Sequence, residues 1–245
     1  MAVQKNLLAY EERYKKVYDA GGVYWNERVS PQKLLNFVTH LPKGAKCIEF
    51  GCGEGHEVRA LAKLGFKVTG IDISPTVIQR NKTITPDDLC VDYVVGDITD
   101  LRAIGIEDGT FDFALDIGCL HMMSESIDRS SYLKEIKRVL KPGGFLYLQN
   151  GLSLNDVLPE NMEQAGELQA LKEFMLNYNG EKPMLRKIVT SEGESDIMLP
   201  LCPIGKWLSL DGYISELIAL GFTIISSGRS GGMNMTFEAI IIAST

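Results

Sequence analysis

With 245 residues and a 45% hydrophobic fraction, the chain suits one domain with an inserted cap and a sizeable buried core. A formal net charge of −7 and an isoelectric point of about 5.1 argue against an extended polyanion, and so against nucleic acid, as partner. The five cysteines include no C-x-x-C pair, which indicates neither a zinc site nor a redox motif and makes a reducing cytoplasm the expected location.

Residues 1–40 are expected to form an N-terminal helical cap. Charges spread through Lys5, Glu11, Glu12, Arg13, Lys15 and Lys16 do not fit a secretory leader. No run of eighteen apolar residues is present, so no membrane span is expected. Tyr10, Tyr14, Val17 and Tyr18 share one helical face. That stripe either packs on the core or closes over a ligand, and Tyr24 and Trp25, after a Gly21-Gly22 break, are candidates to touch a substrate.

From residue 41 to 150, strands alternate with helices, the pattern of a parallel sheet. The first strand runs from Lys46 to Phe50 and leads into Glu49-Phe50-Gly51-Cys52-Gly53-Glu54-Gly55 and an amphipathic helix. Alternating glycines let the backbone approach a ligand, and the helix start supplies unpaired N–H groups. A dinucleotide fingerprint needs its third glycine at position 56, where this chain has His56. Asp72 closes the next strand about twenty residues on, where an acid can accept hydrogen bonds from both hydroxyls of a ribose. Ser74-Pro75 starts the second helix. Strands at Val91–Val95, Phe111–Asp116 and Gly144–Gln149 follow.

Residues 151–206 read as an inserted cap with apolar helical runs (Leu168, Leu171, Phe174, Met175), since so long a connection normally carries its own elements. Residues 207–245 read as a helix stopped by Gly221 and two strands whose short connection forces antiparallel pairing.

These motifs resemble the class I S-adenosylmethionine (SAM) dependent methyltransferases. Glu49, Gly51, Gly53 and Gly55 match the family's acid-x-G-x-G-x-G loop, with Cys52 inside it. The resemblance implies an α/β fold: a Rossmann-like, seven-stranded, mostly parallel sheet with an antiparallel strand from a C-terminal hairpin, plus the inserted helical cap. It implies that the glycine loop lies along the methionine part of SAM, that Asp72 binds ribose and that Ile73 packs on adenine. Gly96-Asp97-Ile98 matches the segment whose acid meets the adenine amino group. Phe111 to Asp116 matches the strand ending beside the transferring methyl, and Leu140 to Phe145 matches the turn into the fifth strand. The run Gly118-Cys119-Leu120-His121 with Tyr24-Trp25 looks like the thiopurine and tellurite methyltransferase branch.

Glu49, Asp72, Asp97 and Asp116 thus stand at four successive strand ends, an arrangement that fits a cationic nucleoside ligand. Each also reads alone as a loop acid capping the next helix. His121 is the candidate general base, or a pocket-lining residue, with Met122 beside it. A thiol nucleophile at Cys52 or Cys119 competes with plain apolar filling. Asp116 and Asn150 lack a clear third metal ligand, so no metal is expected. After Asp116 the chain lacks the Asn/Asp-Pro-Pro-aromatic run of adenine N-methylating enzymes, and it has no Pro-Cys pair of the cytosine C5 type. The leading expectation is methyl transfer from SAM to O, N or S of a small molecule by a monomer or homodimer, leaving S-adenosylhomocysteine (SAH). A peptide or protein N-methyltransferase, with an acidic groove from the insertion, and a SAM-binding regulator without turnover are the alternatives. A NAD-dependent dehydrogenase fits poorly.

Overall fold

The structure is a computed structural model that describes residues 2–24, 30–155, 165–166, 168–170, 172–173, 183–200, 205–231 and 237–245. The α/β core is a seven-stranded sheet. In chain order its strands are β2 (Lys46–Phe50), β3 (Lys67–Asp72), β4 (Val91–Val95), β5 (Phe111–Ile117), β6 (Leu140–Gly151), β9 (Thr223–Gly231) and β10 (Phe237–Ser244). Their spatial order is β4-β3-β2-β5-β6-β10-β9. The pairs among β2 to β6 are parallel, and β10 runs antiparallel between β6 and β9. That is the mostly parallel sheet with one reversed terminal strand that the sequence implied.

Period-two alternation explains why the sheet is covered on both faces. Ile48 and Phe50 of β2, Ala114 of β5, Leu146 and Leu148 of β6, and Ala239 and Ile241 of β10 face one layer. It contains α5 (Ser126–Val139) and α6 (Leu210–Ala219). Cys47, Phe113, Leu115, Tyr147, Ile240 and Ile242 face the other, with α2 (Gln32–Val38), α3 (His56–Lys63) and α4 (Pro75–Ile84). Ser74 caps α4 as its sequence suggests, its Oγ accepting from the Val77 N–H at 3.3 Å.

Two expectations need correction. The N-terminal segment is not wholly helical, because β1 (Gly22–Tyr24) follows α1 (Ala2–Asp19). The inserted segment is not helical throughout either. Beside helical residues within 165–173 it holds a hairpin, β7 (Met184–Thr190) and β8 (Gly193–Leu199). β1, β7 and β8 form a second, three-stranded antiparallel sheet, so the N-terminal segment and the insertion fold together. Val17 of α1 is fully buried against Ile188 and Leu199 of that hairpin, and Arg13 Nη1 donates to the Pro200 carbonyl at 2.8 Å. Among the described residues no helix is long and apolar enough to cross a membrane.

α1 is also clamped to α4. Glu11 accepts from Ser74 Oγ at 2.6 Å, Thr76 Oγ1 at 2.6 Å, the Thr76 N–H at 3.2 Å and Lys15 at 3.1 Å. Burial alone would raise the Glu11 pKa, but the hydrogen bonds from Ser74, Thr76 and Lys15 outweigh it and hold the carboxyl at about 2. A carboxyl depressed on folding stabilises above its ordinary value near 4.5, and that contribution fades as pH falls toward 2. Glu11→Ala is therefore expected to lower the thermal midpoint at pH 7 by roughly 2–6 °C, the scale of a lost helix cap. The gap to wild type should narrow in melts run below pH 4.5; a gap constant with pH would contradict the clamp.

Candidate active site

The glycine loop is the hinge of the site. Gly51, Gly53 and Gly55 all adopt positive φ (60°, 48° and 67°), which L side chains disfavour. A Cβ on Gly51 would lie 2.6 Å from Cys119 Sγ, and one on Gly53 would lie 2.9 Å from Tyr14 OH. The loop thus touches both the segment after β5 and helix α1 through positions that admit no side chain. Gly51→Ala is expected to cost roughly 2–4 kcal/mol, combining left-handed strain with overpacking. Thermal denaturation checks this, and a melt matching wild type would contradict the packing described.

Asp72 joins the loop to the end of β3. Its Oδ2 accepts from the Gly53 N–H and its Oδ1 from the Ser74 N–H, each at 2.9 Å. Burial raises the Asp72 pKa, opposed by these N–H donors and that of Ile73. Asn81 Nδ2 holds the loop from α4 by donating to the Gly53 carbonyl at 2.7 Å. Tyr18 OH donates to Glu54 at 3.3 Å, and the Arg80 guanidinium lies 4.4 Å over the Tyr18 ring. So the tyrosine face of α1 stands against the glycine loop as well as on the core. Glu49 is buried beside the loop, and its charge acts on both Cys52 and Cys119.

Ile73 is half-buried after β3, and Ile98 is buried after β4. Asp97 is half-buried, with Oδ1 accepting from Thr99 N–H and Oγ1 at 2.9 and 2.7 Å. Met122 is half-buried in a short 3-10 turn, Leu120–Met122. The Tyr24 backbone is paired in β1, and Trp25 lies outside the described residues. His56 pairs with Glu54 at 3.7 Å, and His40 is exposed. Glu160, Glu163 and Glu167 of the expected acidic groove lie outside the described residues, whereas Glu173 accepts from Gln169 at 2.8 Å.

Of the two readings of Asp116, the structure displays the one within the chain. It shares the Ala114 face of β5, the one covered by α5, and is fully buried. Both its oxygens serve the chain: Oδ1 accepts from the Cys119 N–H at 2.9 Å and Asn150 Nδ2 at 3.0 Å. Oδ2 accepts from Tyr132 OH at 2.8 Å and the Leu120 N–H at 3.0 Å. Asp116 therefore builds the turn that carries His121.

That turn has further supports which sequence reading passed over. His121 N–H donates to Asn150 Oδ1 at 2.9 Å. Arg129, fully buried, donates to the Leu120 carbonyl at 2.7 Å and to both Glu216 oxygens at 3.0 and 2.6 Å. The Trp207 ring meets the His121 ring edge-on, with centroids 5.5 Å apart. Bulk and charge make Arg129 look like an ordinary surface residue of a helix, and Trp207 has no motif; only tertiary structure brings them here. Burial, then the charges of Asp116 for Cys119 and Asp72 for Cys52, push both thiols well above their ordinary pKa. Protonated thiols are poor nucleophiles, which favours the apolar-filler reading. Among the described residues no group of three or more His, Cys, Asp or Glu is placed to hold a metal ion.

The glycine cradle and the buried Asp72 acid fit a nucleoside with a flexible amino-acid tail. Comparison with known proteins agrees. Residues 48–148 match the methyltransferase domain family model. The chain is 33% identical over 182 residues to a 2-methyl-6-phytyl-1,4-hydroquinone methyltransferase of Synechocystis sp., covering 74% of this chain and 47% of that one. It is 30% identical over 135 residues to a ubiquinone biosynthesis O-methyltransferase of Xanthomonas axonopodis pv. citri, covering 51% and 54%. The chain thus spans about half the length of these curated relatives. The fold resembles that of the Burkholderia thailandensis 1,6-didemethyltoxoflavin-N1-methyltransferase, solved with 1,6-didemethyltoxoflavin and SAH (TM-score 0.62, 17% identity, 99% of this chain and 88% of that one). The loop, the strand order and the family match together make residues 48–148 of this chain a methyltransferase domain of the class I SAM-dependent superfamily.

Proposed function

We propose that the chain methylates a small molecule at a hydroxyl oxygen of an aromatic acceptor, with N and S acceptors as the next choices. The observation that carries this reading is the joining of two functions at one rim. Gly53 N–H on Asp72 ties the cofactor loop to the ribose acid, while Gly51 packs on Cys119, two residues before His121. The names of the relatives, which act on a hydroquinone and in ubiquinone biosynthesis, support an aromatic hydroxyl compound.

SAM, when bound, supplies a methyl group on an already activated sulfonium. The chain's own work is to hold, orient and exclude water. Gly51, Gly53 and Gly55 give the amino-acid tail room along the backbone, Asp72 holds the ribose, and Asp97 with Ile73 and Ile98 flanks the base. His121 takes the hydroxyl proton, and Trp207 and Met122 offer the acceptor apolar contact. Tyr24 and Trp25 are proposed as acceptor contacts on the strength of the sequence alone.

The test is transfer of labelled methyl from SAM to 1,4-hydroquinone, catechol, thiophenol and benzylamine. Labelled product from the hydroxyl compounds supports the reading. Label appearing only on thiophenol or benzylamine would move the acceptor atom to S or N. Tight SAM binding without transfer to any of the four would favour a binding protein instead.

A further inference from the structure

We infer that Asn150, itself fixed by Asp116, holds His121 in the tautomer with its proton on Nδ1 and its lone pair on Nε2, presetting the histidine to accept a proton. The inference rests on reading His121 as the base, and it adds a positioning residue to that reading.

The amide orientation comes first. Asn150 is fully buried at the end of β6, beside β5 in the sheet. Its Oδ1 accepts from the His121 backbone N–H at 2.9 Å, and its Nδ2 donates to Asp116 Oδ1 at 3.0 Å. Flipping the amide would set its NH2 against a backbone N–H and its oxygen against a carboxylate. Both contacts would become repulsive, so only one orientation is satisfied. Asp116 cannot turn to adapt, because its oxygens are also held by Tyr132 OH and the N–H groups of Cys119 and Leu120.

The imidazole follows from the amide. Nδ1 of His121 lies 2.9 Å from the same Asn150 Oδ1. A carbonyl oxygen only accepts, so in this contact Nδ1 is the donor and carries the hydrogen. The Gly151 N–H also approaches Nδ1, at 3.2 Å, and would suit the opposite tautomer. These contacts exclude each other at one nitrogen. Choosing the Gly151 contact would leave two lone pairs facing each other at the shorter distance, so the amide decides. With Nδ1–H turned toward Asn150, the lone pair sits on Nε2 at the far edge of the ring. An acceptor hydroxyl can then give its proton to Nε2: the O–H bond breaks, an N–H bond forms, and the electron pair stays on oxygen. The opposite tautomer presents Nε2–H and cannot take that proton.

Nitrogen-15 NMR of the wild-type chain with SAH at neutral pH reads the tautomer directly. The chain has three histidines, and the His121 signals are those missing from His121→Gln. The expected spectrum shows His121 protonated at Nδ1; protonation at Nε2 alone would overturn the inference. Asn150→Leu should shift His121 toward the Nε2–H form and lower turnover of 1,4-hydroquinone at least about tenfold, with SAH affinity changed less than about threefold. An unchanged tautomer in a folded Asn150→Leu protein would also overturn it. If that variant does not fold, the wild-type spectrum decides alone. An Nδ1–H spectrum alongside normal turnover in His121→Gln would sink the base reading and leave the Asn150 assignment standing. An Nε2–H spectrum with turnover lost in His121→Gln would do the reverse.

Discussion

Asp72→Ala is expected to weaken SAH binding by about 100-fold, equivalent to about 3 kcal/mol. Two effects combine. A ribose hydroxyl pair loses a buried, charged acceptor, and the Gly53 and Ser74 N–H groups lose the partner that sets the loop against β3. Asp72→Asn keeps one acceptor oxygen and should fall between wild type and Ala. Calorimetric titration with SAH measures the loss, and circular dichroism establishes that the variant is folded. A folded Asp72→Ala protein with wild-type affinity would remove the ribose assignment, whatever else the site does.

His121→Gln is expected to reduce turnover by roughly 10²- to 10⁴-fold, the usual worth of a positioned acid or base, with cofactor affinity nearly unchanged. The expected asymmetry follows from where the residue sits. His121 is carried by the Asp116–Asn150–Tyr132 network beyond β5, whereas the cofactor loop is secured by Asp72 and Asn81. Steady-state rates with saturating SAM, paired with an SAH titration, separate the two effects. A large loss of SAH affinity would place His121 in the cofactor site, and an undiminished rate would reduce it to pocket lining.

The glycine loop and its tie to Asp72 are legible in the sequence because they are local. Glycines at 51, 53 and 55 announce positive φ by their type, and Asp72 is marked by its place at the end of a strand. The supports of the His121 turn are not, because the contacts of Asn150 to His121 and Asp116 bridge 29 and 34 residues and exist only where β5 and β6 lie side by side. The two readings of Asp116 cannot be separated in sequence for a different reason. Strand-end acids look alike in sequence, and the parity of β5 decides: Asp116 sits on the Ala114 face, toward Tyr132 of α5. The β7–β8 hairpin is not marked in the sequence because its outer face mixes signals, pairing exposed Leu185 with exposed Met198 and Lys187 with Asp196. No clean alternation survives there to announce strands. Leu168, by contrast, is buried in the main core as the helical reading of that stretch required.

The most direct measurement is a calorimetric titration of the purified chain with SAM, SAH and NAD in parallel. The account predicts saturable binding of both sulfur nucleosides, lost in Asp72→Ala, and no heat from NAD. Binding of NAD without SAM or SAH would contradict the glycine-loop assignment and the methyl-transfer function built on it.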